Sequence, residues 1–264
     1  SGNGIPRIDL LQGGQRRDCR ETGPSMGLSR PTIRLLARAL APKRRSGAVV
    51  TFGKSGIEGQ YEQVREILVQ EGITPATLDA AQIESDSLTQ FGRSLHQDTL
   101  FRMLGFSTVH SLDYFAAEQP TFQVDLNRPL PDSLRGQYDL LLDAGTTEHC
   151  FDVSRVLANA VAALKPGGYV CHLLPMTGWI DHGFYSFSPT LLLDFYAVNG
   201  FDELELKIVF SRGLLGRTYY FDYEAAHTGL YANFPGPSLL FLLGRKASVL
   251  PETVLPLQGA YASQ

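Results

Sequence analysis

The sequence is poor in cysteine and has no apolar run long enough to span a bilayer. Only three of its 264 residues are cysteine, and Cys19, Cys150 and Cys171 form no Cys-x-x-Cys pair. An odd number of cysteines without that motif favours a reduced setting. No charged-then-apolar segment typical of a signal peptide opens the sequence. We therefore expect a cytoplasmic protein without a membrane partner.

Common ligand-binding motifs are also missing. The glycine loop at 53–59 has the spacing Gly-x-x-Gly-x-x-Gly rather than Gly-x-Gly-x-x-Gly, and no Gly-Lys-Ser/Thr closes it. Such a loop fits a close backbone approach to a ligand or an ordinary tight turn. Asp143, Glu148, His149 and His182 could converge on a metal, but they lack a dedicated ligand spacing such as His-Glu-x-x-His. The sequence therefore predicts no metal site.

The charge is distributed unevenly. Residues 1–45 hold ten Lys/Arg and three Asp/Glu, a balance of +7, so the rest of the chain carries 13 against 24, or −11. A basic arm can bind nucleic acid or another acidic partner. Because no aromatic residues are interleaved with these arginines, a helix packed against the acidic body is the favoured interpretation, and we expect no nucleic-acid partner.

Residues 137–189 read as a strand, a polar loop, a helix and a second strand. Tyr138 to Leu142 is a nearly continuous apolar run, typical of a strand buried on both faces of a parallel sheet. Asp152 is a good N-cap for the helix that follows, and Lys165-Pro-Gly-Gly ends it. Tyr169 to Leu174 predicts the next strand. In such a βαβ unit, ligands bind at the carboxyl ends of the strands.

Three further strands are predicted upstream. Ala48 to Phe52 is a β-branched run that fits the first, central strand. Thr108 to Asp113 ends on a carboxylate, and Phe122 to Asn127 repeats the arrangement with Asp125. A carboxylate at a strand end can accept hydrogen bonds from both ribose hydroxyls of a nucleoside cofactor, although an Asp that caps a turn is the alternative.

Together, Tyr138-Asp-Leu-Leu-Leu-Asp, Glu148-His149, Leu164-Lys-Pro-Gly-Gly and Val198-Asn-Gly-Phe resemble the second half of a class I S-adenosylmethionine (SAM)-dependent methyltransferase. The resemblance spans roughly Ala48 to Gly244. It implies an α/β fold with a Rossmann-like, mostly parallel sheet of seven strands, the last antiparallel, with helices on both faces and an N-terminal helical extension. It also implies SAM as cofactor and an oxygen or nitrogen of a small molecule as the methylated group. Natural products and aromatic or sugar-containing molecules are the candidate acceptors.

The sequence departs from this family between the first two strands. An acidic residue normally follows the glycine loop by about twenty positions, whereas Asp113 lies about sixty positions on. The departure predicts a helical insertion at about 60–105, and a second, loop insertion is predicted at about 211–237. The predicted organisation is an arm and helix at 1–46 that could act as a lid, a methyltransferase domain at 47–245 and a tail at 246–264.

The resemblance implies a cofactor site at the strand ends. In it, Asp113 receives the ribose hydroxyls, Asp125 receives the adenine amino group and Leu126 packs on the adenine ring. The predicted cofactor contacts are Gly53, Lys54, Asp113, Tyr114, Asp125, Leu126, Asn127, Asp143, Ala144 and Gly145.

Two histidines are the predicted catalytic residues. His149 and His182 qualify because imidazole titrates near neutrality; a structural role for His149 and an orienting role for His182 are the alternatives. The predicted acceptor contacts are the aromatic residues Trp179, Tyr185, Tyr219 and Tyr220, drawn from a wider set with Phe184, Phe187, Tyr223 and Tyr231 for which core packing is the alternative.

Two other functions remain open at this point. One is a methyltransferase fold that binds SAM or a partner without catalysis. The other is a nicotinamide-dependent oxidoreductase, which the glycine spacing disfavours. The sequence leaves the oligomeric state open, a dimer included.

Overall fold

An eight-stranded sheet forms the centre of the protein in a computed structural model that describes residues 27–89, 92–211, 218–224, 234, 236–259 and 261, with backbone only at 85–89, 92, 93 and 211. Most of the predicted basic arm, with Cys19, and Tyr231 lie outside the described residues. The described helices are α1 (Arg30–Leu40), α2 (Tyr61–Gln70), α3 (Gln97–Met103), α4 (Val153–Ala163) and α5 (Pro189–Val198). None of these is long and apolar enough to cross a membrane.

Ten strands are present in the described part of the chain. They are β1 (Ala48–Phe52), β2 (Ser85–Thr89), β3 (Gly92–Leu95), β4 (Thr108–Asp113), β5 (Phe122–Gln123), β6 (Tyr138–Asp143), β7 (Leu164–Thr177), β8 (Phe201–Ser211), β9 (Thr218–Asp222) and β10 (Ser238–Lys246).

The sheet has the order β5-β4-β1-β6-β7-β10-β8-β9. The first five strands in this order pair in parallel. Strand β10 is antiparallel to both β7 and β8, and β9 is antiparallel to β8. The predicted fold class is therefore confirmed: the sheet is mostly parallel and Rossmann-like, and the last strand of the chain is antiparallel.

Apolar side chains cover both faces of this sheet. Alternate residues of a strand point to opposite faces, and Val49 accordingly packs with α1, α2 and α3 whereas Val50 packs with α4 and α5. Helix α1 is also tied to α2, because Arg34 and Arg38 donate to the two carboxylate oxygens of Glu71 at 2.7 and 2.8 Å. These bonds lower the pKa of Glu71 below its usual 4.5.

Both predicted insertions contain strands that the sequence did not predict. Residues 60–105 hold α2 and α3, but also the hairpin of β2 and β3. The segment at 211–237, predicted to be irregular, contains β9, so the sheet has eight strands rather than seven. Strand β9 pairs with the outer edge of β8, which would otherwise expose a row of unpaired backbone groups.

Candidate active site

A cavity of about 630 Å³ opens at the carboxyl ends of β1, β4, β5 and β6. Small-molecule pockets commonly measure roughly 300–1,000 Å³. Eight of the ten predicted cofactor contacts line it, namely Gly53, Lys54, Asp113, Tyr114, Asp125, Leu126, Asn127 and Gly145. The predicted catalytic residue His149 lines it too, and so do residues not predicted from the sequence, namely Phe115, Glu118, Val124, Thr146 and Cys150.

Gly53 lies at the base of the cavity, directly after β1. Its φ of +69° is in the left-handed region, which favours glycine. A Cβ there would lie 2.5 Å from Thr146 Oγ1, which itself donates to the Phe52 carbonyl at 2.8 Å. A glycine is therefore required by both the backbone conformation and the close approach of the loop after β6.

Asp113 ends β4 beside this glycine. Its Oδ1 accepts the Phe115 backbone N–H at 2.9 Å, and its Oδ2 lies 3.7 Å from the position of a Cβ on Gly53. No hydrogen bond reaches Oδ2 from the part of the chain that is described. One carboxylate oxygen is therefore held by the turn, and the other is available to a ligand.

Asp125 stands on the neighbouring wall and is held by its own turn. The backbone and side-chain N–H groups of Asn127 both donate to Asp125 Oδ1 at 2.9 Å, and these bonds lower the pKa of Asp125. The Asn127 Oδ1 accepts the Asp152 backbone N–H at 2.9 Å, while Asp152 caps α4 by accepting from the Arg155 N–H. The turn is thus fixed to the start of α4, with the carboxylate ionised at neutral pH.

The charge of the cavity is negative. Asp113, Glu118 and Asp125 contribute three carboxylates, and Lys54 contributes the single basic side chain among the described lining residues. Cys150 adds no charge at neutral pH, because burial and the nearby carboxylates raise the pKa of its thiol to about 12. A cationic ligand is therefore favoured over an anionic one.

Asp143 and Ala144 do not line the cavity, although both were predicted to contact a cofactor. Both side chains are buried. The Asp143 carboxylate accepts from the Thr146 backbone N–H at 3.0 Å and from the Thr147 hydroxyl, and it lies 2.9 Å from His172 Nδ1. The other ring nitrogen of His172 lies 2.5 Å from the buried Tyr196 hydroxyl. Asp143 therefore fixes the loop after β6 from inside the protein.

Glu148, His149 and His182 form a cluster beside the cavity. The Glu148 Oε1 atom lies 3.5 Å from His182 Nε2 and 3.9 Å from His149 Nε2, and one ligand atom from each residue falls within 4.8 Å of the others. The Glu148 side chain is 0% exposed, while His182 is 17% and His149 48% exposed. The sequence offered Asp143, Glu148, His149 and His182 as groups that could converge, but it predicted no metal site and only the two histidines as catalytic residues. The structure brings Glu148, His149 and His182 together.

Two of the three side chains of this cluster, Glu148 and His182, have buried polar atoms that are unsatisfied by the described residues. Both Glu148 oxygens and His182 Nε2 are buried without a hydrogen-bond partner among the described residues. Burial, together with the negative charge of Asp143, raises the pKa of Glu148 to about 8. Burial also lowers the pKa of both His149 and His182. At neutral pH each imidazole therefore keeps a lone pair, and an ionised Glu148 would cost on the order of several kcal/mol without a compensating cation.

The loop that carries His182 is pressed against Glu148. The Phe184 backbone N–H donates to the Glu148 carbonyl at 2.8 Å, and a Cβ on Gly183 would lie 2.8 Å from that same carbonyl oxygen. The Trp179 ring contacts the His182 ring at a tilt, with ring centroids 5.0 Å apart, and its Nε1 donates to the Ser238 carbonyl at 3.0 Å. The predicted acceptor residue Trp179 thus lies next to the predicted catalytic residue His182.

Of the other predicted acceptor residues, Tyr185 lies against the rings of Phe151 and Phe184, whereas Tyr219 and Tyr220 lie elsewhere. Tyr185 donates to the Phe151 carbonyl at 2.9 Å and lines a separate apolar cavity of about 520 Å³. Tyr219 and Tyr220 belong to β9, at the opposite edge of the sheet from β4 and β5. Tyr220 contacts Arg38 of α1 there. The structure therefore does not bring Tyr219 and Tyr220 to the site, because the segment predicted to be a loop forms an edge strand.

No protein-family model matches this chain, and no curated protein sequence matches it. Solved structures with a similar arrangement include a SAM-dependent methyltransferase from Thermotoga maritima (14% identity, TM-score 0.40, 83% of this chain and 90% of that chain). Another is a SAM-dependent methyltransferase from Archaeoglobus fulgidus (12% identity, TM-score 0.44, 82% and 94%). A third is the Burkholderia thailandensis 1,6-didemethyltoxoflavin-N1-methyltransferase, bound to 1,6-didemethyltoxoflavin and S-adenosylhomocysteine (14% identity, TM-score 0.32, 82% and 79%). Identities this low do not transfer an activity, so the residues of this chain have to carry the argument for its function.

Proposed function

We propose that the protein is a SAM-dependent methyltransferase that acts on an oxygen or nitrogen of a small-molecule acceptor. The observation that carries this proposal is the negative charge of the cavity at the strand ends, with Asp113, Glu118 and Asp125 against Lys54. SAM has a positive sulfonium and a zwitterionic amino-acid group, so its net charge is positive. Such a cavity attracts it electrostatically.

We assign the cofactor to this cavity because the polar groups that line the cavity match those of SAM. The Oδ2 of Asp113 accepts hydrogen bonds from the ribose hydroxyls, and Asp125 accepts one from the adenine amino group. Leu126 packs against the adenine ring, and Gly53 and Gly145 allow the backbone to approach the ligand closely. The supporting observations are that all five residues line one cavity and that no described donor occupies the Asp113 Oδ2.

Methyl transfer from SAM requires no covalent bond between the protein and the methyl group. Bound SAM would supply an activated methyl group, which a lone pair of the acceptor would take by in-line displacement, with the neutral thioether S-adenosylhomocysteine as the leaving group. The protein has to align the acceptor and exclude water. We assign this alignment to His149, which lines the cavity, and to His182, whose ring lies 5.0 Å from that of His149. Because burial lowers the pKa of both, each holds a lone pair at neutral pH. One of them would accept a proton where the acceptor arrives protonated.

The acceptor is assigned to the surface around this histidine pair. Phe151 and Phe184 are 72% and 66% exposed and contact each other edge to face, with ring centroids 5.6 Å apart. Ile180, in the same loop as His182, is 89% exposed. Exposed apolar groups beside polar ones are typical of ligand sites. They favour an acceptor that has a ring or another apolar part.

A nicotinamide dinucleotide fits this cavity less well. Its pyrophosphate is negatively charged, and dinucleotide sites bind that group at the N-terminus of the helix that follows the first strand. In this protein α2 begins at Tyr61, eight positions after Gly53, and no α2 residue lines the described cavity. Three carboxylates would also repel the pyrophosphate.

Label transfer tests the proposal. The protein is incubated with SAM carrying a tritiated methyl group and with a panel of small hydroxyl and amine acceptors, and the products are separated from SAM. We expect label in at least one acceptor, at a rate that is lost when the protein is denatured first. Binding of S-adenosylhomocysteine without transfer to any acceptor or metabolite extract would contradict catalysis and support the silent binding protein instead.

A further inference from the structure

A buried carboxylate and two imidazoles meet beside the proposed cofactor cavity without satisfying each other. Both oxygens of the 0% exposed Glu148 lack a hydrogen-bond partner among the described residues, and so does the buried His182 Nε2. The second imidazole, His149, presents its Nε2 to the same Glu148 oxygen at 3.9 Å. Buried polar atoms of this kind normally have a partner. Their convergence on one point indicates that the missing partner is a ligand.

The distances within the cluster suit a single metal ion. Ligand atoms about 2.0–2.1 Å from a tetrahedral zinc lie about 3.3 Å from one another. The Glu148 Oε1 lies 3.5 Å from His182 Nε2, and all three ligand atoms fall within 4.8 Å of each other. The half-exposed His149 has its Nε2 at 3.9 Å from the same oxygen, so it has to approach by about 0.6 Å to reach that spacing.

The donor atoms also select the kind of metal. Mg²⁺ and Ca²⁺ prefer sites made entirely of oxygen. Two imidazole nitrogens and one carboxylate suit a first-row divalent transition metal, and the same set of donors is found in catalytic zinc sites and non-haem iron sites. Three protein ligands leave at least one coordination position for a water or a substrate atom.

We propose that Glu148, His149 and His182 bind one divalent transition metal ion, of the Zn²⁺ class, at the edge of the cavity. The metal supplies the positive charge that the buried Glu148 lacks, and it gives His182 Nε2 its partner. Asp143 does not serve as a fourth ligand, because Thr146, Thr147 and His172 occupy its carboxylate. This site goes beyond the proposed methyl transfer and does not depend on SAM binding. Where the metal is bound it takes both imidazole lone pairs, so that aligning the acceptor and accepting its proton would pass from the histidines to the open coordination position.

Metal titration of the chelator-treated protein tests this site. Zn²⁺ binding is measured by calorimetry, and Co²⁺ binding by the visible absorption that four- or five-coordinate cobalt shows. We expect one equivalent per chain for each metal, with no competition from Mg²⁺. Glu148→Gln keeps the side-chain size but removes a ligand, so it should weaken Zn²⁺ binding by more than about 100-fold. Loss of a residue that only hydrogen-bonds a metal ligand costs roughly 10–100-fold.

Two further variants make the result decisive. His96 lies between Asp98 at 3.5 Å and Glu84 at 3.9 Å, away from the cavity, so His96→Ala is a matched control that should keep the parent affinity. His149→Ala removes a half-exposed ligand, and it supplies the test if Glu148→Gln does not fold by circular dichroism. Absence of Zn²⁺ binding in the parent would overturn the proposal, and so would unchanged affinity in the folded site variants. S-adenosylhomocysteine binding is measured separately, so a failed metal site leaves the proposed methyltransferase standing.

Discussion

Replacing Asp113 with asparagine should weaken cofactor binding while leaving the fold intact. In the parent protein, Asp113 Oδ1 accepts the Phe115 N–H at 2.9 Å. The variant keeps this oxygen, so the turn after β4 retains its bond. It loses the negative charge on Oδ2, the atom assigned to the ribose hydroxyls. A hydrogen bond to a charged group contributes about 1.5–3 kcal/mol, and about 1.4 kcal/mol corresponds to a tenfold change in affinity. We therefore expect S-adenosylhomocysteine to bind roughly 10–150-fold more weakly.

Calorimetry on matched variants measures this effect. Asp132→Asn removes the same charge from a fully exposed side chain outside the cavity, so it corrects for long-range electrostatics. Asp113→Ala loses the turn bond as well and should show an additional loss of stability of about 1 kcal/mol. If folded Asp113→Asn bound S-adenosylhomocysteine within about twofold of the Asp132→Asn control, Asp113 would have no part in the site.

Three other variants probe the loop, the histidine and the N-terminal helix. Gly53→Ala should lose about 1–2 kcal/mol of stability, because of the positive φ at this position and the contact of the new Cβ with Thr146 Oγ1. Chemical unfolding should show that part of this loss is recovered in a Thr146→Ala background, and no recovery would refute the steric explanation. His182→Ala should keep S-adenosylhomocysteine affinity within a few-fold but lower turnover about 10²-fold, and parental turnover would move the acceptor elsewhere. Glu71→Gln should cost about 1–2 kcal/mol at pH 7. Since the folded pKa of Glu71 is lowered, this difference should be present above pH 4.5 and vanish as the pH falls through the folded value, and a pH-independent difference between unfolding curves would contradict the ion pair.

The strands that form the cavity could be predicted because their sequence pattern is local. Buried parallel strands appear as short apolar runs, and β1, β4 and β6 start and end close to where those runs do. Their carboxyl ends meet at one edge of the sheet, so Gly53, Asp113 and Gly145 could be assigned to one site before any geometry was known.

The direction of a side chain at those strand ends could not be predicted in the same way. Asp143 ends β6 as Asp113 ends β4, yet its carboxylate turns inward because His172, far along the chain, supplies a partner inside the protein. His172 is in turn held by the Tyr196 hydroxyl. The cluster around Glu148 depends on a similar long-range contact. His182 reaches Glu148 only because the loop after β7 folds back, with the Phe184 N–H on the Glu148 carbonyl.

The aromatic residues at 219 and 220 show a different limit. Tyrosines between glycine-rich and proline-rich stretches looked like a binding loop, but Thr218–Asp222 pairs with β8 and closes the edge of the sheet. The pairing is set by the partner strand, and the local sequence carries little of that information.

Titration of the unmodified protein with S-adenosylhomocysteine and, in parallel, with reduced nicotinamide dinucleotide tests the central claim most directly. The available Asp113 Oδ2, the Asp125 carboxylate and Leu126 predict saturable binding of one S-adenosylhomocysteine per chain, and the three carboxylates of the cavity predict no binding of the dinucleotide at the same concentration. Binding of the dinucleotide without binding of S-adenosylhomocysteine would contradict it.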